Sequence, residues 1–364
     1  MKKIYLPPAV FLILVSCAGL GSAADKAAAV AQDEGRSLSS VQTGQATTTS
    51  EKNDSRYYTS QSDPFAVDPQ ERLFWIKGEL KMGVEKWSGD NTYQIGFPFY
   101  DYATRTYYDG YFPFSELKFP LDVVMFAAHY NLEFKKRWML SLGFKTDLDH
   151  SGDDMEDRDW LTADNPDRLD VYSESNVTEF DAYEYDVNVK FKYVMGRSWS
   201  LDAGIGYLYQ KYKYETALKT QYSPSGLSGY YFVWDGQTPS LKYDVYYRIP
   251  YVQLGGSATF AKRFTVIATA AYSPIVHAED EDQHLLRGKV NRGDLDGESW
   301  MVDMEARCQI NRNWFVGLEY GYKKIEVDGW MKALFYEGLD PDHSVWEELE
   351  STQHAVSLMA GYTF

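Results

Sequence analysis

The stretch "YEYDVNVKFKYVMGRSWSLDAGIGYLYQ", residues 183–210, decides the fold. Tyr183, Tyr185, Val187, Val189, Phe191 and Tyr193 interleave with Glu184, Asp186, Asn188, Lys190 and Lys192; after a tight turn at Gly196-Arg197, Trp199, Leu201, Ala203, Ile205, Tyr207 and Tyr209 repeat the pattern. A period of two belongs to extended chain, whose successive side chains point to opposite faces. Two such runs of about ten residues, each with one apolar and one polar face, predict an antiparallel hairpin that suits lipid on one side and a polar lumen on the other.

The same alternation recurs outward from this hairpin. Ile76, Gly78, Leu80, Met82 and Val84 carry it near the start, Trp300, Val302, Met304, Ala306, Cys308 and Ile310 later, then Trp314, Val316, Leu318, Tyr320 and Tyr322. Val356, Leu358, Ala360, Tyr362 and Phe364 alternate up to a C-terminal Phe. A soluble sandwich also alternates, but it buries large aliphatics and turns its charges outward. Here the apolar faces are flanked by aromatics and the other face is rich in acids and bases, as in an outer-membrane barrel. Ten strands are predicted, at about 72–88, 114–133, 137–149, 180–195, 198–216, 240–260, 262–279, 297–311, 313–327 and 350–364. The fold class is therefore all-β, a ten-stranded antiparallel transmembrane β-barrel. Lys135-Lys136, Gly196-Arg197, Ala261 and Asn311-Arg312 fall in short turns, expected on the periplasmic side. The longer segments 89–113, 150–179, 217–239, 280–296 and 328–349 are expected as five outer loops.

Composition agrees. The chain has 30 Tyr, 19 Phe and 10 Trp, side chains suited to an interface between apolar and aqueous surroundings. A net charge of −17 argues against nucleic acid and is compatible with cationic partners. No apolar run after the leader reaches transmembrane-helix length, so a membrane span must be a closed sheet.

The N-terminal order of MKK, apolar Ile4 to Val15 and small residues to Ala24 predicts a secretory signal over 1–23. Leu14-Val15-Ser16-Cys17 is also a lipobox, with which the signal is 1–16 and Cys17 is lipidated. Residues 24–70, rich in Ala, Ser, Thr and Gln, predict a disordered linker, and 71–364 the barrel. Cys308 is the other cysteine, so no internal disulfide is expected once the leader is removed.

Two motifs bear chemistry. "MEDRDWL" (155–161) puts Asp157 and Asp159 on one side of an extended chain just beyond the third strand, and "EDEDQHLL" (279–286) puts Asp282 and His284 likewise beyond the seventh. An acid pair facing an acid–imidazole pair suffices to activate water: Asp282 orients His284, His284 takes the water's proton, and Asp157 with Asp159 hold the water and the developing charge. Acid clusters in outer segments are also ordinary solvated surface, and either motif alone is weak. "DLDHSGDD" from 147 starts like a calcium loop, but its twelfth position is Arg158 where a bidentate Glu is needed. No metal site and no cofactor are expected. The apolar face of the seventh strand, Phe264, Val266, Ala268, Ala270 and Tyr272, would carry Asp282 and His284 to the outer face, so a bulge is required near Pro274. His129 and His354 fall within strands and read as lumen or girdle residues.

In "MEDRDWLTADNP", "DEDQH" (280–284), "EYDVNVK" (184–190), "IPYVQLGG" (249–256) and the "AGYTF" end, the chain from about residue 72 onward resembles the omptin family of ten-stranded outer-membrane endopeptidases. The resemblance implies an aspartate pair at Asp157 and Asp159, an aspartate–histidine dyad at Asp282 and His284, and an acid at Asp280 that receives a basic substrate side chain. It implies peptide or protein substrates with Lys or Arg beside the cleaved bond, an outer-membrane location with the site facing the exterior, and a monomer. Family members depend on lipopolysaccharide held at alternating Tyr, Glu and Arg. Here Tyr207, Tyr209 and Lys211 stand without the middle acid and Arg248 lies near another basic position, so a lipopolysaccharide requirement stays open. The first outer segment, 96–114, carries aromatics where an acidic pocket residue is expected. The alternative function is a non-catalytic adhesin or structural barrel on the same framework.

Overall fold

A computed structural model describes residues 76–150, 152–335 and 341–364. The expected signal, Cys17 and the 24–70 linker lie outside the described residues. The strands are β1 (Ile76–Asp101), β2 (Thr106–Tyr108), β3 (Ser115–Pro120), β4 (Val123–Phe134), β5 (Trp138–His150), β6 (Asp154–Asp159) and β7 (Val171–Met195). They continue as β8 (Trp199–Tyr222), β9 (Phe232–Val233), β10 (Pro239–Phe260), β11 (Phe264–His284), β12 (Lys289–Gln309), β13 (Trp314–Phe335) and β14 (His343–Thr363).

Antiparallel pairing runs β1, β4, β5, β7, β8, β10, β11, β12, β13, β14 and back to β1, a closed ring of ten. At the far end β3 and β6 take the places of β4 and β5 between β1 and β7. Closure leaves no sheet edge, as a lipid-exposed sheet demands. Phe364 completes it through reciprocal backbone hydrogen bonds with Gly78, both 3.0 Å. Lys135 and Lys136 (φ 52 and 60) and Ala261 and Lys262 (φ 48 and 62) make two-residue turns with both central residues left-handed, the geometry whose twist matches a hairpin.

The expected bulge is present. β11 slips against β12 between Ser273 and Val276, and β10 and β11 slip between Arg248 and Val252. Pro274 and Ile275 are consecutive exposed residues, and beyond them the even-numbered positions face inward. Five outer loops spanning 89–113, 150–179, 217–239, 280–296 and 328–349 are corrected to much shorter ones. β1 continues to Asp101, β11 to His284 and β13 to Phe335, so most of these residues prolong the wall.

Around the outside, an apolar band carrying Val187, Ile205, Val252, Leu254, Val302 and Leu358 lies between two aromatic rims. Trp138 against Phe191 and Trp314 against Tyr362 mark the rim near the tight turns. The stacked Tyr183, Tyr209 and Tyr246, and Tyr272 against Trp300 at 4.2 Å, mark the other. Inside the band the lumen is ionic: Lys81 bridges Glu305 and Glu319, Arg307 grips Glu79 with two bonds of 2.7 and 3.0 Å, and Lys145 joins Glu85 at 2.8 Å to Glu184 at 3.3 Å. These groups line a polar cavity of about 550 Å³. An aromatic layer of Trp87, Phe119, Phe180, Tyr212, Tyr214, Tyr243 and Tyr247 covers it, each ring nearly inaccessible to solvent and Phe119 stacked on Tyr243 at 4.6 Å. The site occupies the far side of this layer.

Candidate active site

Asp157 and Asp159 lie on β6, between β3 and β7. The end of that strand is pinned: the Trp160 amide donates to the Phe114 carbonyl at 2.9 Å and the Asp170 amide to the Asp159 carbonyl at 2.9 Å. The inaccessible Asp170 carboxylate accepts from Ser225 Oγ (2.7 Å), the Leu161 amide (3.0 Å) and Arg168 Nε (3.0 Å). The Ser225 bond leads in holding Asp170 down at about 2.

β11 stands on the opposing wall, four places round the ring from β6 in one direction and six in the other. Past the bulge, Asp280, Asp282 and His284 share its inner face. His284 Nε2 is 2.9 Å from Asp282 Oδ2, so Nε2–H donates to the carboxylate and Nδ1 is left as the basic nitrogen. Asn291, paired with Asp282 in register on β12, donates to the same Oδ2 at 3.0 Å. Both bonds converge on Oδ2 and hold that oxygen toward the ring, while Oδ1 has no hydrogen-bond partner among the described residues.

The two walls feel each other. Burial pushes the Asp157 carboxyl well above the usual range, with the charges of Asp159 and Asp282 adding to the rise and Arg287 opposing it. Burial likewise raises Asp159, against a hydrogen bond from Ser115 and the charges of Arg287 and His284. Two such carboxyls cannot both ionise cheaply, which favours one proton shared between them. Lys289, opposite His284 in register, is brought down by its own burial.

The structure brings all four motif residues into one space and adds Asn291, Gly293, Arg287 and Glu347, which the sequence reading missed. Asn291 is legible only from the β11–β12 register. Asp280 is almost inaccessible and accepts from the Gly293 amide at 2.8 Å. On the outer wall, exposed Tyr207 and half-buried Lys211 share the outward face of β8 beside Arg248 on β10. Close by on β11, Glu279 pairs with Arg248 at 2.9 Å and accepts from Tyr246.

The buried acids set the pH dependence of stability. Burial raises Asp280 from 3.8 to about 7, so the folded chain keeps a proton that the unfolded chain releases near 4. That contribution is fully present below about 4 and is lost as pH rises through about 7. The urea midpoint of the barrel in detergent is therefore expected to fall from pH 5 to pH 8, and Asp280→Asn to flatten the dependence. Equal midpoints at the two pH values would contradict it.

A closed ten-strand ring with an apolar band, two aromatic rims and a polar lumen is a β-barrel of outer-membrane type. The Omptin family model matches residues 108–333, and the chain belongs to the omptin family. The crystal structure of the outer membrane protease OmpT from Escherichia coli superposes with a TM-score of 0.66 at 18% identity, covering 79% of this chain and 97% of that one, a likeness of fold. The outer membrane protein OprG from Pseudomonas aeruginosa covers 79% and 95% at 7% identity, but its TM-score of 0.35 is too low to carry weight. Comparison with curated proteins gives no match.

Proposed function

We propose that this barrel is an endopeptidase whose site opens to the cell exterior and which hydrolyses peptide bonds beside Lys or Arg. The observation that carries the reading is the oriented Asp282–His284 dyad, 2.9 Å apart, facing a buried aspartate pair. His284 Nδ1 removes a proton from water as its oxygen attacks the carbonyl carbon, and Asp282 stabilises the imidazolium that forms. Asp157 and Asp159, with one proton between them, hold the water and donate to the carbonyl oxygen as it gains charge. The imidazolium then returns its proton to the departing amine. Asp280 serves the basic side chain beside the cleaved bond. The outward Tyr207, Lys211 and Arg248 are assigned to an anionic lipid headgroup such as that of lipopolysaccharide.

The refolded full-length barrel, given a quenched fluorescent peptide containing Arg-Arg, is expected to cleave it beside a basic residue. Lipopolysaccharide is expected to raise the rate. No turnover with or without lipopolysaccharide, in a barrel shown to be folded, would reject the protease in favour of a non-catalytic barrel. Equal rates in both conditions would remove lipid dependence alone.

A further inference from the structure

Above the closed ring, β9 is paired on one side. Thr220 of β8 meets Glu174 of β7 at one edge and Val233 at the other, so β9 takes the place in the wall that β10 gives up at Pro239. In the next place, that of β11, no strand follows among the described residues. β11 ends at His284, and the chain turns through 285–288 into β12. The free edge of β9 therefore overlooks the column directly above the histidine.

The backbone of that edge is ready to pair. The Trp234 amide donates to the Lys219 carbonyl at 2.9 Å, and along a strand the amides point to one neighbour and the other in turn. The N–H and C=O of Val233 thus point away from β8, into the column. Exposed edges are normally blunted by Lys, by Pro or by a covering element. Here "YYFVW" (230–234) has neither Lys nor Pro and consists of residues suited to strands, with Tyr231 77% and Val233 66% exposed. The segment is also held in place: Asn176 Nδ2 donates to the Gly236 carbonyl at 2.6 Å, and Lys219 pairs with Asp154 at 2.6 Å. A guest strand has no loop to order before it binds.

The edge is continuous with the site. Asp157, Ser173, Gln221 and Phe232 are successive register partners across β6, β7, β8 and β9, and partners in register face the same side of a sheet. A residue set opposite Phe232 by a guest strand would be the fifth in a row that begins at the aspartate pair. Both β9 and β10 are antiparallel to β8, so a strand antiparallel to β9 runs as β11 runs, outward from His284. Its N-terminal end is then the end nearer the dyad. On β8, Thr220 stands four residues beyond Thr216, whose partner Leu241 pairs with His284, a rise of about 13 Å.

We propose that β9 is a docking strand for the substrate chain: an extended segment on the C-terminal side of the cleaved bond, starting about four residues beyond it, adds to β9 as an antiparallel strand. The proposal rests on the protease reading for its use. The row from Asp157 favours substrate over a second copy of the barrel as the occupant, because it joins this edge to the reacting groups.

The test compares quenched peptides on the refolded full-length barrel, one ending shortly after Arg-Arg, one extended on the C-terminal side and one extended on the N-terminal side. The C-terminal extension is expected to lower KM about tenfold, as a few added main-chain hydrogen bonds would, with kcat little changed and no such gain from the N-terminal extension. Val233→Pro deletes the amide that points into the column and keeps the Trp234 bond to β8, a change that an edge strand accommodates. In that variant the extension is expected to bring no gain. On the unmodified barrel, N-methyl groups on one alternate set of extension amides are expected to abolish the gain and on the other set to leave it. Should Val233→Pro fail to fold, this alternation decides alone. No gain from the C-terminal extension, a gain kept in Val233→Pro, or N-methyl effects without alternation overturns the docking strand and leaves the protease reading in place. A dimer that Val233→Pro dissociates also overturns it, by giving the edge to a second copy. If no peptide is cleaved, fluorescence anisotropy of the labelled long peptide separates the two readings. Binding that Val233→Pro weakens about tenfold upholds the docking strand and removes the protease, and absence of binding removes both.

Discussion

His284→Ala is expected to lower kcat/KM on a basic peptide by about 10²- to 10⁴-fold, the range over which a positioned general base acts. The reason is local. His284 is the imidazole oriented by a carboxylate at 2.9 Å, with Asn291 bracing that carboxylate at 3.0 Å. Its loss leaves Asp157 and Asp159 to hold a water that nothing deprotonates. Because the ring is partly exposed and its polar contacts among the described residues are with Asp282 and Asn291, the variant should keep the unfolding midpoint of the parent. Asn291→Ala should produce a smaller loss, since it frees the carboxylate to turn without removing the base. Single-turnover rates on the three proteins measure this. A His284→Ala enzyme that retains a tenth or more of the activity would remove His284 from the mechanism.

The second large effect is on stability. Lys145 lies in the lumen between Glu85 and Glu184, with its ammonium 5.4 Å from the centre of the Trp87 ring. Lys145→Met keeps much of the apolar stem and deletes the charge, leaving two buried carboxylates short of a cation. Breaking a buried pair from one side costs about 3–5 kcal/mol. Glu184 keeps Lys323, and Glu85 keeps the Ser357 and Trp87 donors, so the loss falls chiefly on Glu85. Urea unfolding in detergent should show it, and the double change Lys145→Met with Glu85→Gln should recover a large part. An unchanged midpoint in Lys145→Met would mean that the lumen solvates its charges as bulk water does. The aromatic layer between this network and the dyad should leave kcat/KM near that of the parent.

The fold was legible because lipid and lumen impose opposite chemistry on alternate residues, and Tyr183 to Tyr209 display that contrast over a whole hairpin. The upper half was harder to read because the contrast inverts there. On β12 the outward Met304, Val302 and Trp300 give way to outward Glu298, Asp296 and Asp294, while Leu295 turns inward. Ile325, Val327 and Leu349 are buried in the same way beside exposed Glu326, Asp328 and Glu350. The period of two persists, but the apolar lipid face stops at the inversion, so the upper strand ends resemble loops in sequence. The acid and imidazole motifs were visible because each is local in sequence. Their face required Pro274, whose place in a bulge could be demanded from parity but not located. Asn291 and Glu347 come from other strands, and only the register reveals which residues they meet. In the sequence Glu347 is one acid among several in "VWEELE".

The rings of Trp87, Phe119, Tyr212 and Tyr243 have a consequence for the cell that is separate from catalysis. A hollow cylinder crossing a permeability barrier is a leak unless something interrupts its water column. Here that interruption is built from the wall itself, so no separate stopper has to arrive or be held. The barrel thereby crosses the barrier without an open water column, and the small solutes of the compartment beneath stay where they are.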